Sequence, residues 1–536
     1  KHLKEIIATM ICCIIVITII VSNYNGEQME LIEDNTITAH MGSTKAENGE
    51  FIYLSDIDYI ENQSSTGWGS ILKDKTSNNT KITVKIDGVS NSFDKGMWAH
   101  ATSVLVYDLS NYHYDYFTTL LGLNTTSTAG NGVTFRIYTS EDGINYKLEY
   151  EVAKLPQASA DFVKINIQGK KYLKLEAYDN KGNGQDHSVY ADAKLTKASY
   201  EEALDIINLE EYNEKIRNYG TIDFNNPEHE LAVLQRALIK NAGEFTIKRY
   251  IGESNENKEA FGWLFQNLEN LRLYTMGGKP TGSYYNSFQQ LKRLLDAYKS
   301  DFEIQEKTKY GTKYGDLYKK MAITLSLTHS AQVALWMQPS AAENQSDAVT
   351  RYEIYKKLHK EGKFEVTDSI DITKWFENYT VEEMRFVLNN LIDDESIVWL
   401  NEYIQSKIDA NPKNAWNLLT PHPYMAYVWP NYGNPVYYAE ENYDYFNKLF
   451  SVNGKKLYDY GITRGTNEKK VYKLWMNFRN KFGTGAVCGG ISKTGHNIRA
   501  THGIPAAVIG QPGHAAIIYY TQDAEGRGYW NLDNDV

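Results

Sequence analysis

The spacing of apolar residues changes near residue 197, and this change limits the possible folds more than any other feature of the chain. Between residues 51 and 197, apolar residues recur at every second position, as in Val133, Phe135 and Ile137, and turn sequences such as SEDG and DNKGNG separate the runs. A period of two with one polar face predicts antiparallel strands in an all-β sandwich. Residues 198–470 have helical spacing, so we expect a multidomain chain in which a helical region follows the sandwich.

The helical spacing is clearest in the segment TVEEMRFVLNNL, where Thr380 and Glu383 have the spacing of a capping box. An acidic cluster follows, formed by Asp393, Asp394 and Glu395. Glycosidases place two carboxylates on either side of a sugar, whereas neighbours in sequence point in different directions. We therefore expect a solvated cluster that favours the start of a helix.

Residues 1–23 combine a basic start with an apolar run from Ile6 to Val21. This pattern predicts a signal peptide, with an uncleaved membrane anchor as the alternative, and both predict a secreted or cell-surface protein. Residues 24–50 are polar and lack periodicity, which indicates a linker. Because the chain lacks an initiating Met and stops at NLDNDV, we expect a fragment of a longer protein.

The 536-residue chain carries a net charge of −11. Such an acidic chain has no general basis for binding nucleic acid, and membrane contact is expected only through an uncleaved N-terminal segment. The 41 tyrosines either stack on sugars or reflect coding bias, since Lys, Asn and Ile are also frequent. No HExxH, CxxC or glycine-rich phosphate loop occurs, so we expect no cofactor and no metal.

The predicted sandwich contains residues with the chemistry of a sugar site. Aromatic faces stack on pyranose C–H groups, while His and Asp side chains hydrogen-bond to hydroxyls. The candidates are Trp98, His100, His187, Tyr190 and Asp192. The alternative is that His100 and Asp192 only satisfy the buried backbone of loops.

The segment from 51 to 197 also resembles the NPCBM family of carbohydrate-binding modules. The similar pieces occur in the family's order and are YLSDIDYI, GWG, DKGMWAHATSVLVYDLS, GVTFRIYTSEDG and QDHSVYADAKL. Two residues depart from the family pattern: Trp98 replaces a small residue, and Tyr190 stands where tryptophan is frequent. The resemblance implies a galactose-binding-like sandwich and a glycan ligand.

Cys488, in the segment GAVCGGIS, is the only cysteine outside the N-terminal apolar run. A single thiol cannot form an intramolecular disulfide, so it needs another explanation. The sequence predicts a helix from Cys488 to about Thr501, followed by three strands, AAVIG, HAAIIYY and GYWNLD. At a helix N-terminus, unpaired N–H groups and the helix dipole favour the thiolate and lower the pKa of a cysteine.

A nucleophilic thiol also needs an imidazole partner. His496 and His502 lie about 12 and 21 Å along the same predicted helix, which leaves His514 as the one candidate. The imidazole in turn needs an orienting acceptor, and Asp533 on the next strand is the first choice. Asn531 and Asp535 alternate onto the same face and are fallbacks.

The last 60 or so residues resemble the transglutaminase-like superfamily, a rearranged relative of the papain fold. The resemblance rests on GAVCGGIS, HGIPAAVIGQPGHAAIIYY and YWNLDND. It implies an α+β catalytic core over residues 471–536, with Cys488, His514 and Asp533 as nucleophile, histidine and aspartate. The core would have a helix followed by antiparallel strands.

These observations predict an exported cysteine-dependent amide hydrolase or acyltransferase that the sandwich directs to glycan-bearing proteins. The Cys488 N–H is the expected first oxyanion donor, and Trp475 is a conceivable second. Two alternatives remain open. The first is a non-catalytic adhesin that binds carbohydrate at the cell surface. The second is a glycoside hydrolase whose active site lies in the helical region.

Overall fold

The computed structural model describes residues 49–86, 88–124, 131–182, 184–333, 346–424, 488–523 and 526–534. The predicted signal or anchor, nearly all of the predicted linker, and residues Trp475 and Asp535 lie outside this described part of the chain.

The strands are numbered here in chain order. Those of the N-terminal region are β1 (Phe51–Tyr53), β2 (Leu72–Lys73), β3 (Ile82–Ile86), β4 (Val89–Phe93), β5 (Gly96–His100), β6 (Ser103–Asp108), β7 (Tyr116–Leu123), β8 (Val133–Ser140), β9 (Lys147–Leu155), β10 (Ala160–Asn166), β11 (Tyr172–Tyr178) and β12 (His187–Thr196). The later strands are β13 (Glu365–Thr367), β14 (Ile370–Asp371), β15 (Ala506–Gln511), β16 (His514–Gln522) and β17 (Gly528–Asp533).

The predicted β-sandwich is confirmed. One antiparallel sheet has the order β10-β7-β12-β5-β2, with β1 also paired to β12, and the other has the order β6-β11-β8-β9. The alternating residues of the sequence pattern form the core between them, because one face of each strand is buried: Val133, Phe135, Ile137, Val163, Ile165, Leu173, Leu175 and Ala177 are all at most 6% exposed.

The hairpin β3–β4 forms a separate layer on the opposite face of the first sheet. Its residues Ile82, Val84 and Phe93 pack in one buried cluster with Trp98 of β5 and Val189 of β12. The first sheet is therefore covered on both faces, which the period-two pattern does not reveal.

The described part of the C-terminal region is mainly helical. Its helices are α1 (Ala198–Leu204), α2 (Leu209–Asn218), α3 (Pro227–Ala242), α4 (Glu244–Glu253), α5 (Asn255–Phe265), α6 (Leu268–Met276), α7 (Tyr284–Tyr298), α8 (Tyr314–Thr328), α9 (Ala348–Lys360), α10 (Thr373–Asn378), α11 (Val381–Leu388), α12 (Asp394–Ala410), α13 (Ala415–Leu418) and α14 (Cys488–Thr501). The predicted capping box is present: the Thr380 hydroxyl accepts from the Glu383 N–H, and the Glu383 carboxylate accepts from the Thr380 N–H.

The chain divides into two compact units. The sandwich and the helices through Gly262 form one unit, together with Ser283–Tyr285, and the remaining described residues form the other. The sandwich unit thus extends beyond residue 197, where the sequence pattern changes. Among the described helices, none combines the length and apolarity that crossing a membrane requires.

Candidate functional site

The ends of β5 and β12 bring three of the predicted sugar-site residues together. Antiparallel pairing sets His100 opposite His187 and Trp98 opposite Val189. The His100 and His187 rings meet edge to face with centroids 5.1 Å apart, and His187 stacks on Trp98 at 5.2 Å. These three side chains therefore form one aromatic cluster.

Trp98 cannot serve as the sugar platform that its residue type suggested. Its side chain is 1% exposed because the β3–β4 hairpin covers it. Its indole has a structural role beneath that hairpin, and the prediction of an accessible ring at this position is wrong.

Tyr190 and Asp192 do not join this cluster. Tyr190 is three residues from His187, so strand alternation turns its ring into the core, where it meets Phe135 edge to face at 5.5 Å. Asp192 lies at a bulge of β12, between Ala191 and Lys194, and has a positive φ of 52°. Its carboxylate forms an ion pair of 2.9 Å with the buried Lys194 ammonium. The predicted five-residue site is therefore not formed as a unit.

Trp68 is an exposed indole at the cluster that our sequence analysis did not select. It is 60% exposed, and its ring centroid lies 6.1 Å from that of His100. Thr66 fixes the segment, since its hydroxyl accepts from the His100 N–H and donates to the His100 carbonyl. A Cβ at Gly67 would lie 2.5 Å from the Ala101 carbonyl oxygen, so only glycine fits there. The GWG motif was the signal for this position.

Asp186 is the second residue that sequence reasoning missed. It is fully buried, and neither carboxylate oxygen has a hydrogen-bond partner among the described residues. Burial raises the pKa of Asp186 to about 6, although the nearby His100 opposes this shift. A buried carboxylate without donors is costly unless a ligand or water supplies them. Asp186 therefore identifies a position at which hydrogen-bond donors from a ligand or water would be stabilising.

The two imidazoles differ in their hydrogen bonding. Nδ1 of His100 donates to the Ala101 carbonyl at 2.6 Å, whereas Nδ1 of His187 has no described partner. Burial, and secondarily the charge of His100, lowers the pKa of His187. Together with Asp186 and Trp68, the cluster offers acceptors, ring nitrogens and an exposed aromatic face, the combination that pyranose recognition uses.

Residues 50–196 match the family described as NPCBM/NEW2 domain. These residues are an NPCBM/NEW2 carbohydrate-binding domain. The match covers the whole sandwich and ends at the last residue of β12. The aromatic cluster with Asp186 thus belongs to the NPCBM/NEW2 domain.

Several solved structures are similar to the chain. A CBM51 from Clostridium perfringens GH95, in complex with methyl-galactose, is 33% identical, with 27% of this chain and 99% of that chain covered and a TM-score of 0.25. The tandem CBM51 modules of Sp3GH98 from Streptococcus pneumoniae are 27% identical, covering 28% and 47%, with a TM-score of 0.25. The CBM51-2 and INT domains of Clostridium perfringens ZmpB are 22% identical, covering 50% and 54%, also with a TM-score of 0.25. No curated protein matches the chain.

Outside the NPCBM/NEW2 domain, the predicted helix at Cys488 and the three strands after it are confirmed. Helix α14 begins at Cys488, whose half-buried thiol is free, and β15, β16 and β17 form an antiparallel meander. The Ser492 hydroxyl donates to the Cys488 carbonyl at 2.7 Å and lies 3.1 Å from the Ala515 carbonyl of β16.

The structure does not bring Asp533 to His514. Asp533 pairs with Ile517, on the face of β16 that packs against α14. His514 is three residues before Ile517, so alternation directs it to the other face. Its Nε2 lies 3.4 Å from the Asn534 carbonyl, and the Asp533 carboxylate instead lies 3.2 Å from Nε2 of His422. The expectation that Asp533 orients His514 is therefore wrong for this arrangement.

The fallback acceptor Asn531 also has another partner. Its amide donates to the Tyr519 hydroxyl at 2.7 Å. The Tyr519 ring in turn lies 3.5 Å from the guanidinium of the buried Arg499. Burial lowers the pKa of Arg499 to about 10, while Tyr519 and Asp533 favour its charged form. This face of the meander is thus occupied by a structural polar network.

His496 and His502, which the helix geometry excluded as thiol partners, are both buried, and burial lowers the pKa of each to about 4. The acidic cluster is structural as well. Asp393 caps α12, and Asp394 pairs with the buried Arg351 guanidinium at 2.9 Å. The predicted place of the cluster at a helix start is confirmed, and Glu395 is exposed as expected, but Asp393 and Asp394 are buried, so the prediction that the whole cluster is solvated is wrong. The described residues contain no group of three His, Cys, Asp or Glu side chains that could hold a metal.

Proposed function

We propose that the NPCBM/NEW2 domain binds a glycan at the cluster of Trp68, His100, Asp186 and His187, and so holds the protein on glycan-bearing surfaces outside the cell. The observation that carries this proposal is that two groups meet at His100: the exposed Trp68 indole lies 6.1 Å from its ring, and the buried Asp186 carboxylate, which lacks described donors, interacts with its charge. A sugar offers an apolar C–H face that can stack on the indole. It also offers hydroxyl groups that can donate to the carboxylate.

The two groups have different tasks in this proposal. Trp68 contributes apolar contact area and can stack on any pyranose that has a suitable apolar face. It therefore determines affinity more than selectivity. Asp186 accepts from one or two hydroxyls and rejects a sugar that lacks them, because its buried charge is then unsatisfied. His187 is the third polar group, through the ring nitrogen that has no described partner.

Replacing Trp68 by Ala is expected to weaken binding to glycan-array hits about 2- to 12-fold, since a stacked aromatic ring contributes about 0.5 to 1.5 kcal/mol beyond the area it buries. Affinity is measured by calorimetry on the full chain. Trp416→Ala is the matched control, because Trp416 is an exposed tryptophan, 41% exposed, in the other unit. Equal losses in both variants, or a folded protein silent on every glycan, would contradict the proposal.

A second candidate function is cysteine-dependent acyl transfer at Cys488. The observation that favours it is a free, half-buried thiol at the first residue of a 14-residue helix. In this reaction the Cys488 thiolate attacks a carbonyl carbon, and a general acid protonates the departing amine. His514 is the acid that the sequence predicts, and it can serve only if its imidazole turns from the face of β16 opposite α14 toward Cys488. Water or a second amine then attacks the thioester and releases the thiol. The glycan site would place such activity on glycosylated protein substrates.

The rate of iodoacetamide alkylation tests this second function. A catalytic Cys488 is expected to react at neutral pH faster than a free cysteine, because acyl transfer requires an activated thiol. His514→Gln is expected to slow labelling several-fold, and His422→Gln is the matched control. Labelling no faster than that of free cysteine, with no effect of His514→Gln, leaves the chain as a glycan-binding adhesin.

A further inference from the structure

One buried hydroxyl joins the first turn of α14 to the start of β16. Ser492 is fully buried, and its Oγ lies 2.7 Å from the Cys488 carbonyl oxygen and 3.1 Å from the Ala515 carbonyl oxygen. The first carbonyl belongs to the residue that carries the free thiol, and the second belongs to the residue directly after His514. One side chain therefore links the backbone of the nucleophile to the backbone beside the predicted imidazole.

Apolar packing also holds α14 against β16. Ile491 lies in one buried cluster with Ala516 and Ile517, and a Cβ at Gly495 would lie 3.0 Å from the Ile517 side chain. Such packing has no preferred direction, whereas a hydrogen bond weakens steeply as its distance and angle change. The Ser492 hydroxyl thus adds a directional restraint on where the helix start lies along the strand.

The bond from Ser492 to β16 is not a consequence of helix formation. Serine and threonine in helices often donate to the carbonyl four residues earlier, and that bond alone has no functional meaning. Thr494 is the comparison, because it is equally buried and its hydroxyl donates to the Gly490 carbonyl of the same helix at 3.0 Å. Ser492 differs from Thr494 in that its hydroxyl also reaches a strand.

The restraint lies beside an open position. Cys488 and Gly489 are both half-buried, and a Cβ at Gly489 would meet no atom of the described residues within 4 Å. A carbonyl group that approaches the thiol on this side would therefore reach it next to the helix turn that Ser492 holds.

We propose that Ser492 is a positioning residue for acyl transfer at Cys488, because its hydroxyl fixes the thiol relative to the strand segment that carries His514. This inference rests on the second candidate function. Proton transfer between a nucleophile and its base requires hydrogen-bond distance, so a small displacement of either group costs rate. The restraint acts on the backbone, so the His514 side chain keeps the rotation about its own bonds that the reaction requires.

The rate of iodoacetamide labelling of the full chain tests this role in a double-mutant cycle. Ser492→Ala is expected to slow labelling about 2- to 12-fold, which corresponds to the net contribution of one hydrogen bond. In a chain that already carries His514→Gln, the same substitution is expected to have no further effect, because the imidazole that it would misplace is absent. A purely structural role would slow labelling by the same factor in both backgrounds.

Thr494→Ala is the matched control, since it removes an equally buried hydroxyl whose bond stays within α14. It is expected to leave both the labelling rate and the effect of His514→Gln unchanged. Ser492→Thr keeps the hydroxyl and is expected to retain the rapid labelling of the native chain.

The possible failures are distinguishable. If the native chain labels rapidly and His514→Gln slows it, equal effects of Ser492→Ala and Thr494→Ala would overturn the positioning role and leave acyl transfer in place. Loss of rapid labelling in Ser492→Thr as complete as in Ser492→Ala would overturn it in the same way. A native chain that reacts no faster than free cysteine would contradict the candidate function, and the positioning role with it.

Discussion

Asp186→Asn is expected to lower the glycan affinity of the full chain by about 10- to 100-fold, because hydrogen bonds to a charged acceptor contribute about 1.5 to 3 kcal/mol. The substitution preserves the shape of the side chain but replaces one acceptor oxygen with a donor and removes the charge. The same change is expected to raise the melting temperature of the ligand-free protein. An unpaired buried carboxylate destabilises the free domain, and the amide has no charge to bury. Calorimetric titration and thermal unfolding measure the two effects.

The pH dependence of binding should follow the same carboxylate. Its pKa is raised to about 6, so binding to the charged acceptor is complete above pH 6 and is lost as the pH falls through 6. In the ligand-free protein, the contribution of Asp186 to folding stability changes with pH in the opposite direction. A raised carboxyl pKa means that the folded protein disfavours ionisation, so this residue contributes a loss of stability as the pH rises from the usual carboxyl range to 6.

Asp94→Asn is the matched control for these measurements, because Asp94 is an exposed acid of the same sandwich and pairs with the exposed Lys81. It should leave both affinity and its pH profile unchanged. Affinity that stays constant from pH 5 to 7.5 in the native chain would show that Asp186 does not contact the ligand.

Local periodicity predicted much of this fold. Alternating residues such as Phe135 and Leu175 are buried, as the sequence predicts. This could be predicted because a strand with one solvent-exposed face is recognisable from its own period-two pattern. The capping box at Thr380 and the helix start at Cys488 are likewise local signals, and the structure has both. These features depend on a few neighbouring residues, which the sequence displays directly.

The candidate sites were harder to predict because they depend on contacts between distant segments. Trp98 is buried because the β3–β4 hairpin folds over it, and the burial of Asp186 is likewise not evident from its neighbours in sequence. Alternation alone could have separated Tyr190 from His187, since an odd spacing sends the two rings to opposite faces. The mismatch of Asp533 with His514 depended on strand register, which turn geometry and burial set together and which the alternation within one strand does not reveal.

The extent of the sandwich unit is the other feature that periodicity missed, and Arg249 of α4 explains it. Its guanidinium lies 4.1 Å from the ring centroid of Phe93 in β4 and 3.8 Å from that of Tyr285. It also donates to the Ser92 carbonyl at 3.1 Å and pairs with Glu253 at 3.5 Å. One buried cation thus ties a helix to the hairpin that covers Trp98.

Arg249→Ala is expected to destabilise the sandwich unit by about 3 to 5 kcal/mol, because removing one partner of a buried ion pair leaves the other charge uncompensated. Burial already raises the pKa of Glu253, and Arg249 is one of the groups that oppose this shift. Urea unfolding followed by hydrogen exchange of β5 and β12 measures the loss. Adding Glu253→Gln should recover part of it, since the orphaned charge is then removed.

Arg217→Ala is the control, because Arg217 is 63% exposed and should alter unfolding little. The same contacts set the boundary of the smallest stable fragment. A chain that ends at Thr196 loses Arg249 and also Phe245, whose ring lies 5.0 Å from that of Phe162 on β10, and so exposes aromatic surface. A chain that ends at Gly262 keeps Arg249 on Phe93 and Phe245 on Phe162, although it loses the ring of Tyr285. Equal stability of the two fragments would mean that the sandwich supports its own hairpin and that α4 is only an attachment.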